Sequence, residues 1–430
     1  MRLTERRDAV TPPFPATQLD PFTDEFQQCP FPALAAMRAH APVEALVEPG
    51  WYIVTTMDLV REVLTDPARF SNQVSRRTPP PPEIADEVAA IRAQGFPSVP
   101  TLLMNDPPVH TRYRRLVQRT FTPRALAWME PLVADVAEEL AAGLPDGGPM
   151  DLIEVFTRPL PVWAISRVLG LPDERREDVR RWTDAATAAI GAQLPAERWP
   201  QVERDLLDFQ RAIAAELEDR RDNPSDGLLS ALVQATTADL ADDEEPIGIK
   251  EMVSLTRELM VAGNESSLRL LADVVWQLAA RPEEWDRLRA EPQRADRIVE
   301  EAVRLASPSA SVFRRVVGDT TLGGYPLPAG ATLVVSVLSA NRDESVFPDP
   351  DRFDPDRPTA QRHVAFGQGV HACIGNVLAR MEARHALQAL ARHVNRIDVI
   401  ADEPLRYLPS LIVRGIVELP VRVSRRDVGT

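Results

Sequence analysis

The longest helical pattern of the sequence sets the scale of the fold. In "GIKEMVSLTRELMVAGNESSLRLLADVVWQLAA", apolar residues recur at spacings of three and four over about 33 residues. A helix rises about 1.5 Å per residue. We therefore expect a helix over 248–281 that crosses a whole domain and is buried along much of its length. The same periodicity predicts further helices over 129–142, 151–169, 197–221, 292–306 and 374–392.

Strand signals are weaker than helix signals. Runs rich in β-branched residues predict short strands in "WYIVT" (51–55), "TLVVSVL" (332–338), "LPSLIV" (408–413) and "GIVELPVRV" (415–423). The proline-rich stretches are typical of turns rather than of interdomain linkers. We predict a mainly α (α+β) fold, with one large helical domain and small β-sheets over 19–425, after a flexible tail over 1–18.

Charge and cysteine content exclude several classes of protein. The net charge of −15 argues against a nucleic-acid partner, which requires a basic face. No apolar run approaches the roughly 18 residues of a transmembrane helix, and the N-terminus lacks the apolar core of a signal peptide. The two cysteines, Cys29 and Cys373, do not suggest a disulfide framework. We expect a soluble, cytoplasmic protein.

One segment of this acidic chain is basic. "HTRYRRLVQR" (110–119) carries Arg112, Arg114, Arg115 and Arg119. Such a cluster is commonly a solvated helix face or a set of salt bridges. A partner surface is the alternative interpretation.

The glycine-rich loop "FGQGVHACIG" (366–375) places Cys373 directly before a predicted helix. A nucleophilic cysteine needs a base within hydrogen-bond reach, and His371 is poorly placed for this because it is only two residues away. A zinc site needs further ligands at close spacing, and the loop offers no second cysteine. A phosphate loop G-x-G-x-x-G fails because its third glycine position is Ala372.

A thiolate offered to a large cofactor remains. The start of the following helix carries partial positive charge, which favours ionised sulfur. The glycines let backbone amides approach the sulfur and leave room for a flat macrocycle. Haem iron is one such partner, because a cysteine thiolate pushes electron density onto the metal and favours O–O cleavage.

The loop resembles the haem-binding loop of the cytochrome P-450 family, whose pattern is F-G-x-G-x-H-x-C-x-G. The matching residues are Phe366, Gly367, Gly369, His371, Cys373 and Gly375. The resemblance implies a haem b whose iron is bound by Cys373, lying between the long central helix and the cysteine-loop helix. Phe366, His371 and Gly375 then belong to the cofactor site.

A second motif, "EEAVR", matches the E-x-x-R of the family with Glu301 and Arg304. Residues three apart share a helix face, so the two side chains can pair. The pair alone is also typical of a surface salt bridge. The resemblance implies a buried network completed by an arginine before the cysteine loop, for which Arg352 is the candidate.

"DPPVHTRYRRL" resembles the segment of the family that reaches the haem propionates. His110 and Arg114 lie four residues apart and share one helix face. Buried propionates need cationic or hydrogen-bonding partners. By the same resemblance, Arg314 and His371 complete the set, with Arg315 as the neighbouring alternative to Arg314.

"VAGNESS" (261–267) matches the A-G-x-[DE]-T-[ST] motif of the family. The resemblance makes Glu265 and Ser266 the acid and the alcohol beside bound dioxygen, whose reduction consumes two protons. The usual threonine is replaced by Ser266, which keeps the hydroxyl and loses the methyl group that restricts its rotamer. We expect oxygen activation to persist with more leakage to peroxide.

The predicted substrate pocket is apolar and includes Val261, Ala262 and Ile412. Glu258 lies on the helix face of Ala262 and Glu265. It is predicted either to contact a polar group of the substrate or to pair with an arginine such as Arg257.

The resemblance implies a monooxygenase that hydroxylates an apolar small molecule with dioxygen. We find no flavin or nucleotide motif, so electrons are expected from a separate ferredoxin and its reductase, with NADH or NADPH as the ultimate donor. Arg112, Arg115 and Arg119 would then steer an acidic ferredoxin. A monomer is expected. The alternatives are a peroxide-dependent or oxygen-independent haem-thiolate enzyme and a non-catalytic haem-binding protein, and the pair Glu265–Ser266 argues against each.

Overall fold

The computed structural model describes residues 20–74, 79–190, 194–235, 246–401 and 403–426; the predicted tail over 1–18 lies outside these ranges. In chain order the helices are α1 (Asp24–Gln28), α2 (Phe31–His40), α3 (Met57–Thr65), α4 (Ala85–Arg92), α5 (Val109–Gln118), α6 (Pro123–Leu126), α7 (Met129–Ala142), α8 (Pro159–Leu169), α9 (Arg176–Ala188), α10 (Trp199–Asp222), α11 (Leu228–Gln234), α12 (Ile249–Ala279), α13 (Pro282–Ala290), α14 (Ala295–Ala306), α15 (Val337–Ala340) and α16 (Asn376–His393).

The strands are short and form three sheets. They are β1 (Val43–Ala45), β2 (Trp51–Val54), β3 (Phe70–Ser71), β4 (Pro149–Asp151), β5 (Ser311–Val316), β6 (Thr320–Leu322), β7 (Tyr325–Leu327), β8 (Thr332–Ser336), β9 (Val394–Val399) and β10 (Pro420–Arg425). The largest sheet has the order β1-β2-β8-β5-β3, the second β4-β10-β9, and β6 pairs with β7. Among the strand pairs of the described residues, β2 and β8 are the parallel one.

The predicted long helix is confirmed as α12. Its first turn is fixed by Glu251, whose Oε2 accepts a hydrogen bond of 2.8 Å from the backbone N–H of Gly248. Every residue from Ser267 to Val275 is buried, so this half of the helix is covered on all sides. Helices α8, α9, α14 and α16 pack against it. Helix α12 is therefore the central element that the sequence predicts.

The helix predicted over 129–142 is confirmed as α7 with the same ends, and the other helix predictions are confirmed with shifted ends. The helix predicted over 151–169 begins as a π-turn at Ile153–Thr157 before α8, and the helices predicted over 197–221 and 292–306 begin with 3₁₀ turns at Ala196–Arg198 and Pro292–Arg294. The sequence analysis did not predict α9.

One strand prediction is wrong. "LPSLIV" forms no strand, and its backbone makes a single bridge, from Val413 to Ser309. The hydroxyl of Ser410 accepts hydrogen bonds from the backbone N–H groups of Ile412 and Val413, at 3.2 and 3.3 Å. A side chain that bonds nearby backbone in this way competes with ladder pairing. In "GIVELPVRV" the strand begins only at Pro420, in β10.

The Glu301–Arg304 pair lies at the centre of a buried network, and both side chains are fully buried. Arg304 donates two hydrogen bonds to Glu301, at 2.7 and 2.8 Å, and a third to the carbonyl of Asn341 at 2.8 Å. The predicted third partner, Arg352, is wrong. Its side chain is exposed and only its backbone carbonyl takes part. Arg357 fills this role, because its Nε lies 3.1 Å from Glu301 Oε1.

We predict that Arg357→Met destabilises the protein by about 3 to 5 kcal/mol, because it leaves the buried Glu301 carboxylate with less positive charge to balance it. The matched control is Arg352→Met, which removes an exposed arginine and is expected to change the free energy of unfolding by less than about 0.5 kcal/mol. Denaturant unfolding of both variants measures the difference. Equal effects of the two substitutions would restore Arg352 as the network residue.

A second buried carboxyl group lies between α12 and α16. Glu382 is 1% exposed, and burial raises its pKa to about 8; the Ser267 hydroxyl opposes this rise only in part. The folded state therefore holds a proton that the unfolded chain releases near pH 4.5. Stability from this group is complete below that pH and is lost as the pH rises through about 8.

We predict that Glu382→Gln removes this pH dependence, since an amide needs no proton to remain neutral. The variant is expected to gain stability relative to the unsubstituted protein between pH 5 and about 8. Free energies of unfolding at a series of pH values measure it, with the exposed Glu283→Gln as control. A difference between Glu382→Gln and the unsubstituted protein that stays constant across this range would contradict the assignment.

Candidate active site

The cysteine loop is shaped by two glycines with left-handed backbone. Gly367 has φ +67° and Gly369 has φ +73°. A Cβ atom on Gly369 would lie 2.8 Å from the carbonyl oxygen of Leu64, so no side chain fits there. The backbone N–H of Cys373 donates to the carbonyl of Phe366 at 2.7 Å, which closes the loop. These contacts place Cys373 three residues before α16.

The sulfur of Cys373 has opposing electrostatic surroundings. One face of the residue is accessible, yet the sulfur lies deep enough that burial raises the pKa of the thiol. The backbone N–H groups of Gly375 and Asn376 and the charges of Arg114 and Arg380 act in the opposite direction. A bound metal cation would add further positive charge that favours the thiolate.

Arg380 is a site residue that the sequence analysis missed. Its guanidinium carbon lies 4.3 Å from the centroid of the Phe366 ring, and its nitrogens bond Glu300 at 2.8 and 3.0 Å. Burial alone would raise the pKa of Glu300, but hydrogen bonds from His363 and Arg380 lower it to about 2. The position four residues into a helix after the cysteine was a usable signal, since a cation there faces back toward the loop.

The structure brings together the four residues predicted for the propionates. The ring centroids of His110 and His371 lie 4.2 Å apart. Arg114 donates to the carbonyl of Ala372, next to Cys373, at 2.7 Å. Arg314 is 4% exposed and donates to Asn72, whereas the neighbouring Arg315 points outward on the strand.

Asn72 is the second missed residue. Its amide links Arg314 to His371, with 3.4 Å between Asn72 Nδ2 and His371 Nδ1. Asp106 fixes this segment by accepting hydrogen bonds from the Asn72 backbone N–H at 2.8 Å and from the Ser71 hydroxyl. Isolated Asn and Asp residues in loops are common, so the sequence carries no signal for this bridge.

This cluster fits a haem. His110 is 2% exposed, and neither of its ring nitrogens has a hydrogen-bond partner among the described residues. A buried polar group without a partner costs free energy, so an acceptor from outside the chain is expected there. Two carboxylates of a porphyrin would supply such acceptors, and Cys373 would supply a ligand for its iron. His110, Arg114, Arg314 and His371 are the residues that would hold the carboxylates.

The predicted acid and alcohol of α12 differ in their surroundings. The hydroxyl of Ser266 donates to the carbonyl of Ala262 at 2.7 Å, on the part of the helix where Ala262 is exposed. Glu265 is 4% exposed and is paired with Arg269, whose Nε and Nη2 lie 2.8 and 2.7 Å from Glu265 Oε1. Gly263 has a packing reason, because its Cβ would lie 2.8 Å from Ile165 of α8.

The predicted pocket residues contact different parts of the protein. Glu258 Oε2 accepts from the backbone N–H of Leu103 at 3.1 Å, whereas Arg257 bonds Ser98. Val261 packs between the core and the apolar cluster of α9 and α10. Ile412 packs against the cluster that contains Phe313.

The basic segment becomes α5, and its arginines differ in their surroundings. Arg112 lies 3.3 Å from Glu251 in a partly buried ion pair. Arg119, which follows the helix, is exposed. The ion pair of Arg112 agrees with the salt-bridge interpretation, and a partner surface stays a prediction.

Comparison with known proteins gives a consistent result. A family profile described as "Cytochrome P450" matches residues 193–396. The vitamin D(3) 25-hydroxylase of Pseudonocardia autotrophica is 34% identical over 417 residues, which cover 95% of this chain and 98% of that protein. The cytochrome P450 monooxygenase PikC of Streptomyces venezuelae is 34% identical over 439 residues, covering 100% and 99%.

The fold has a matching solved structure. The cytochrome P450 CREJ, in complex with (4-ethylphenyl) dihydrogen phosphate, superposes with a TM-score of 0.85 at 26% identity, covering 95% of this chain and 99% of that one. Among the described residues, no helix is both long and apolar enough to cross a membrane. From the Cys373 loop, the buried cationic cluster beside it and the full-length similarity to these enzymes, the chain belongs to the cytochrome P450 family of haem-binding monooxygenases.

Proposed function

We propose that Cys373 would hold the iron of a haem b in an enzyme that hydroxylates an apolar small molecule. The overall reaction is R–H + O₂ + 2 e⁻ + 2 H⁺ → R–OH + H₂O. When bound, the haem supplies the centre at which dioxygen is reduced. One observation carries the proposal: two backbone N–H groups and the two cations Arg114 and Arg380 surround the sulfur of Cys373.

The protons of this reaction are assigned to α12. Ser266 lies at the accessible part of the helix, and its hydroxyl already holds a fixed acceptor in the carbonyl of Ala262. Glu265 is the adjacent carboxylate. An acid and an alcohol in sequence serve to pass protons through ordered water. A peroxide-dependent enzyme, an oxygen-independent enzyme and a simple haem carrier need no such pair, so its presence favours the monooxygenase over these alternatives.

Electrons are proposed to come from a separate ferredoxin and its reductase, with NADH or NADPH as the donor. Arg119 is exposed at the end of the basic segment 110–119. Arg114 of the same segment reaches the cysteine loop with its side chain. An accessible cation there favours an acidic partner. We further propose that the enzyme works as a cytoplasmic monomer.

The substrate is proposed to be an organic molecule bound beside Val261, Ala262 and Ile412, with Leu103 and Glu258 at one side. The relative from Pseudonocardia is named for hydroxylating vitamin D(3), which fits an apolar pocket. The hydrogen bond between Glu258 and the Leu103 backbone supports a role in shaping this side of the pocket.

We predict that Cys373→Ser abolishes the absorption band that thiolate-bound haem shows in reduced protein under carbon monoxide, because an alcohol is a much weaker ligand for iron. The matched control is Cys29→Ser, which removes the other cysteine and is expected to leave the spectrum unchanged. Product formation with NADH, a surrogate ferredoxin and its reductase is measured alongside. A wild-type spectrum from Cys373→Ser would refute the proposal.

We predict that Ser266→Thr lowers the peroxide released per NADH by about twofold or more, because the added methyl group restricts the rotamer of the hydroxyl. Ser266→Ala is expected to raise it. Oxygen uptake and peroxide are measured in the same assay. If all three proteins release equal peroxide, the hydroxyl has no part in proton delivery.

A further inference from the structure

The acid of α12 is held by an unusual set of contacts. Arg269 lies one turn after Glu265 on the same helix, and their side chains are only 7% and 5% exposed. Arg269 Nη1 donates a hydrogen bond of 2.5 Å to the backbone carbonyl of Ile416. The guanidinium thus joins the carboxylate to a backbone group more than a hundred residues away in the chain.

The chain around Ile416 is built to fix Arg269. It belongs to a hairpin, residues 406–417, that is closed by hydrogen bonds from Leu408 N–H to the carbonyl of Gly415 at 3.0 Å and from Val417 N–H to the carbonyl of Arg406 at 2.9 Å. Gly415 lies directly on the Arg269 side chain, because a Cβ there would be 2.1 Å from Arg269 Cδ. The methylene groups of Arg269 are therefore held in place as well as its guanidinium.

The same hairpin carries pocket residues. The carbonyl of Ile412 accepts from the Ala310 backbone N–H at 2.9 Å, and Arg414 N–H donates to the carbonyl of Pro308 at 2.8 Å. One rigid hairpin thus holds both Ile412, at the proposed pocket, and the anchor of Arg269.

We propose that Arg269 is a positioning residue that, clamped by the hairpin 406–417 through the Ile416 carbonyl, holds the Glu265 carboxylate in one place and so sets the geometry of proton delivery. The inference rests on the proposed role of Glu265. A buried carboxylate is held in one place by a cation whose own position is fixed. Before Glu265 can move a proton toward Ser266, its carboxylate has to leave or turn on this clamp.

Other charged groups face the pair. Asp184 of α9 interacts electrostatically with Glu265. Burial raises the pKa of Asp184, and Arg158, at the start of α8, opposes this rise through an ion pair of 3.0 Å. From α16, Glu382 approaches Ser267 on the other side of α12. Any pH effect of Arg269 variants therefore has to be separated from these groups by a Glu265 variant.

The test compares Arg269→Met, Arg269→Lys, Gly415→Ala and Glu265→Gln in haem-loaded protein. The assay follows NADH, oxygen and peroxide without added organic substrate, using a plant ferredoxin and its reductase. Arg269→Met is expected to change the peroxide released per oxygen consumed by at least about threefold, because the proton donor is displaced.

Gly415→Ala is the sharpest variant, because it disturbs Arg269 without changing any charge. It is expected to reproduce the effect of Arg269→Met, whereas Arg269→Lys restores part of the original ratio. The matched control is Arg281→Met, which removes an arginine that bonds Gln277 one turn back, just beyond the end of the same helix. It is expected to behave as the unsubstituted protein.

A readout independent of turnover is the double-mutant cycle of Glu265→Gln and Arg269→Met by denaturant unfolding. The double variant is expected to be more stable than the sum of the single effects allows, because it leaves no unpaired buried charge. If Glu265→Gln leaves the peroxide ratio and its pH profile unchanged, the proposed role of Glu265 is wrong. If Glu265→Gln alters them while Arg269→Met and Gly415→Ala do not, the clamp is wrong and the role of Glu265 stands.

Discussion

The sulfur of Cys373 is the group on which the rest of the architecture depends. Burial favours the neutral thiol, whereas an iron ligand has to be a thiolate. The N–H groups of Gly375 and Asn376 and the cations Arg114 and Arg380 oppose the effect of burial, because each lowers the pKa of the thiol. Each of these comes from an element whose position is fixed elsewhere. The loop therefore requires α5, α14 and α16 to be correctly assembled before its sulfur has the right surroundings.

Two carboxylates, one partly and one fully buried, link those elements to one another. Glu300 binds Arg380, which lies on α16 and stacks on Phe366. The adjacent Glu301 binds Arg304 and Arg357. Two neighbouring residues of α14 thus hold the cysteine loop from one side and the segment before it from the other. Charge pairs of this kind define geometry more strictly than apolar contacts, because a displaced partner leaves a charge unpaired in the protein interior.

The sequence predicted the elements whose signal is local. Helix α12 and five further helices follow from periodicity over one segment each, and Cys373 follows from a ten-residue loop. The errors concern residues whose role depends on distant neighbours. Arg357 and Arg352 are both arginines of one loop, and only the fold decides that Arg357 turns inward to Glu301. Asn72, which directly follows β3, acts through Arg314, which lies in the neighbouring strand β5.

Glu301 and Glu265 are both carboxylates paired with arginine, but the pairing restrains them to different degrees. Glu301 is bound by two arginines and by the backbone N–H of Asp354 at 3.0 Å, so no single movement releases it. Among the described residues, the ion-pair partner of Glu265 is Arg269, which lies on the same helix and is anchored by a backbone carbonyl. Releasing Glu265 therefore requires one side chain to turn, whereas releasing Glu301 requires the segment before the cysteine loop to come apart. A carboxylate that has to move protons is expected to have the simpler restraint, and one that holds the cysteine loop in place the more redundant one.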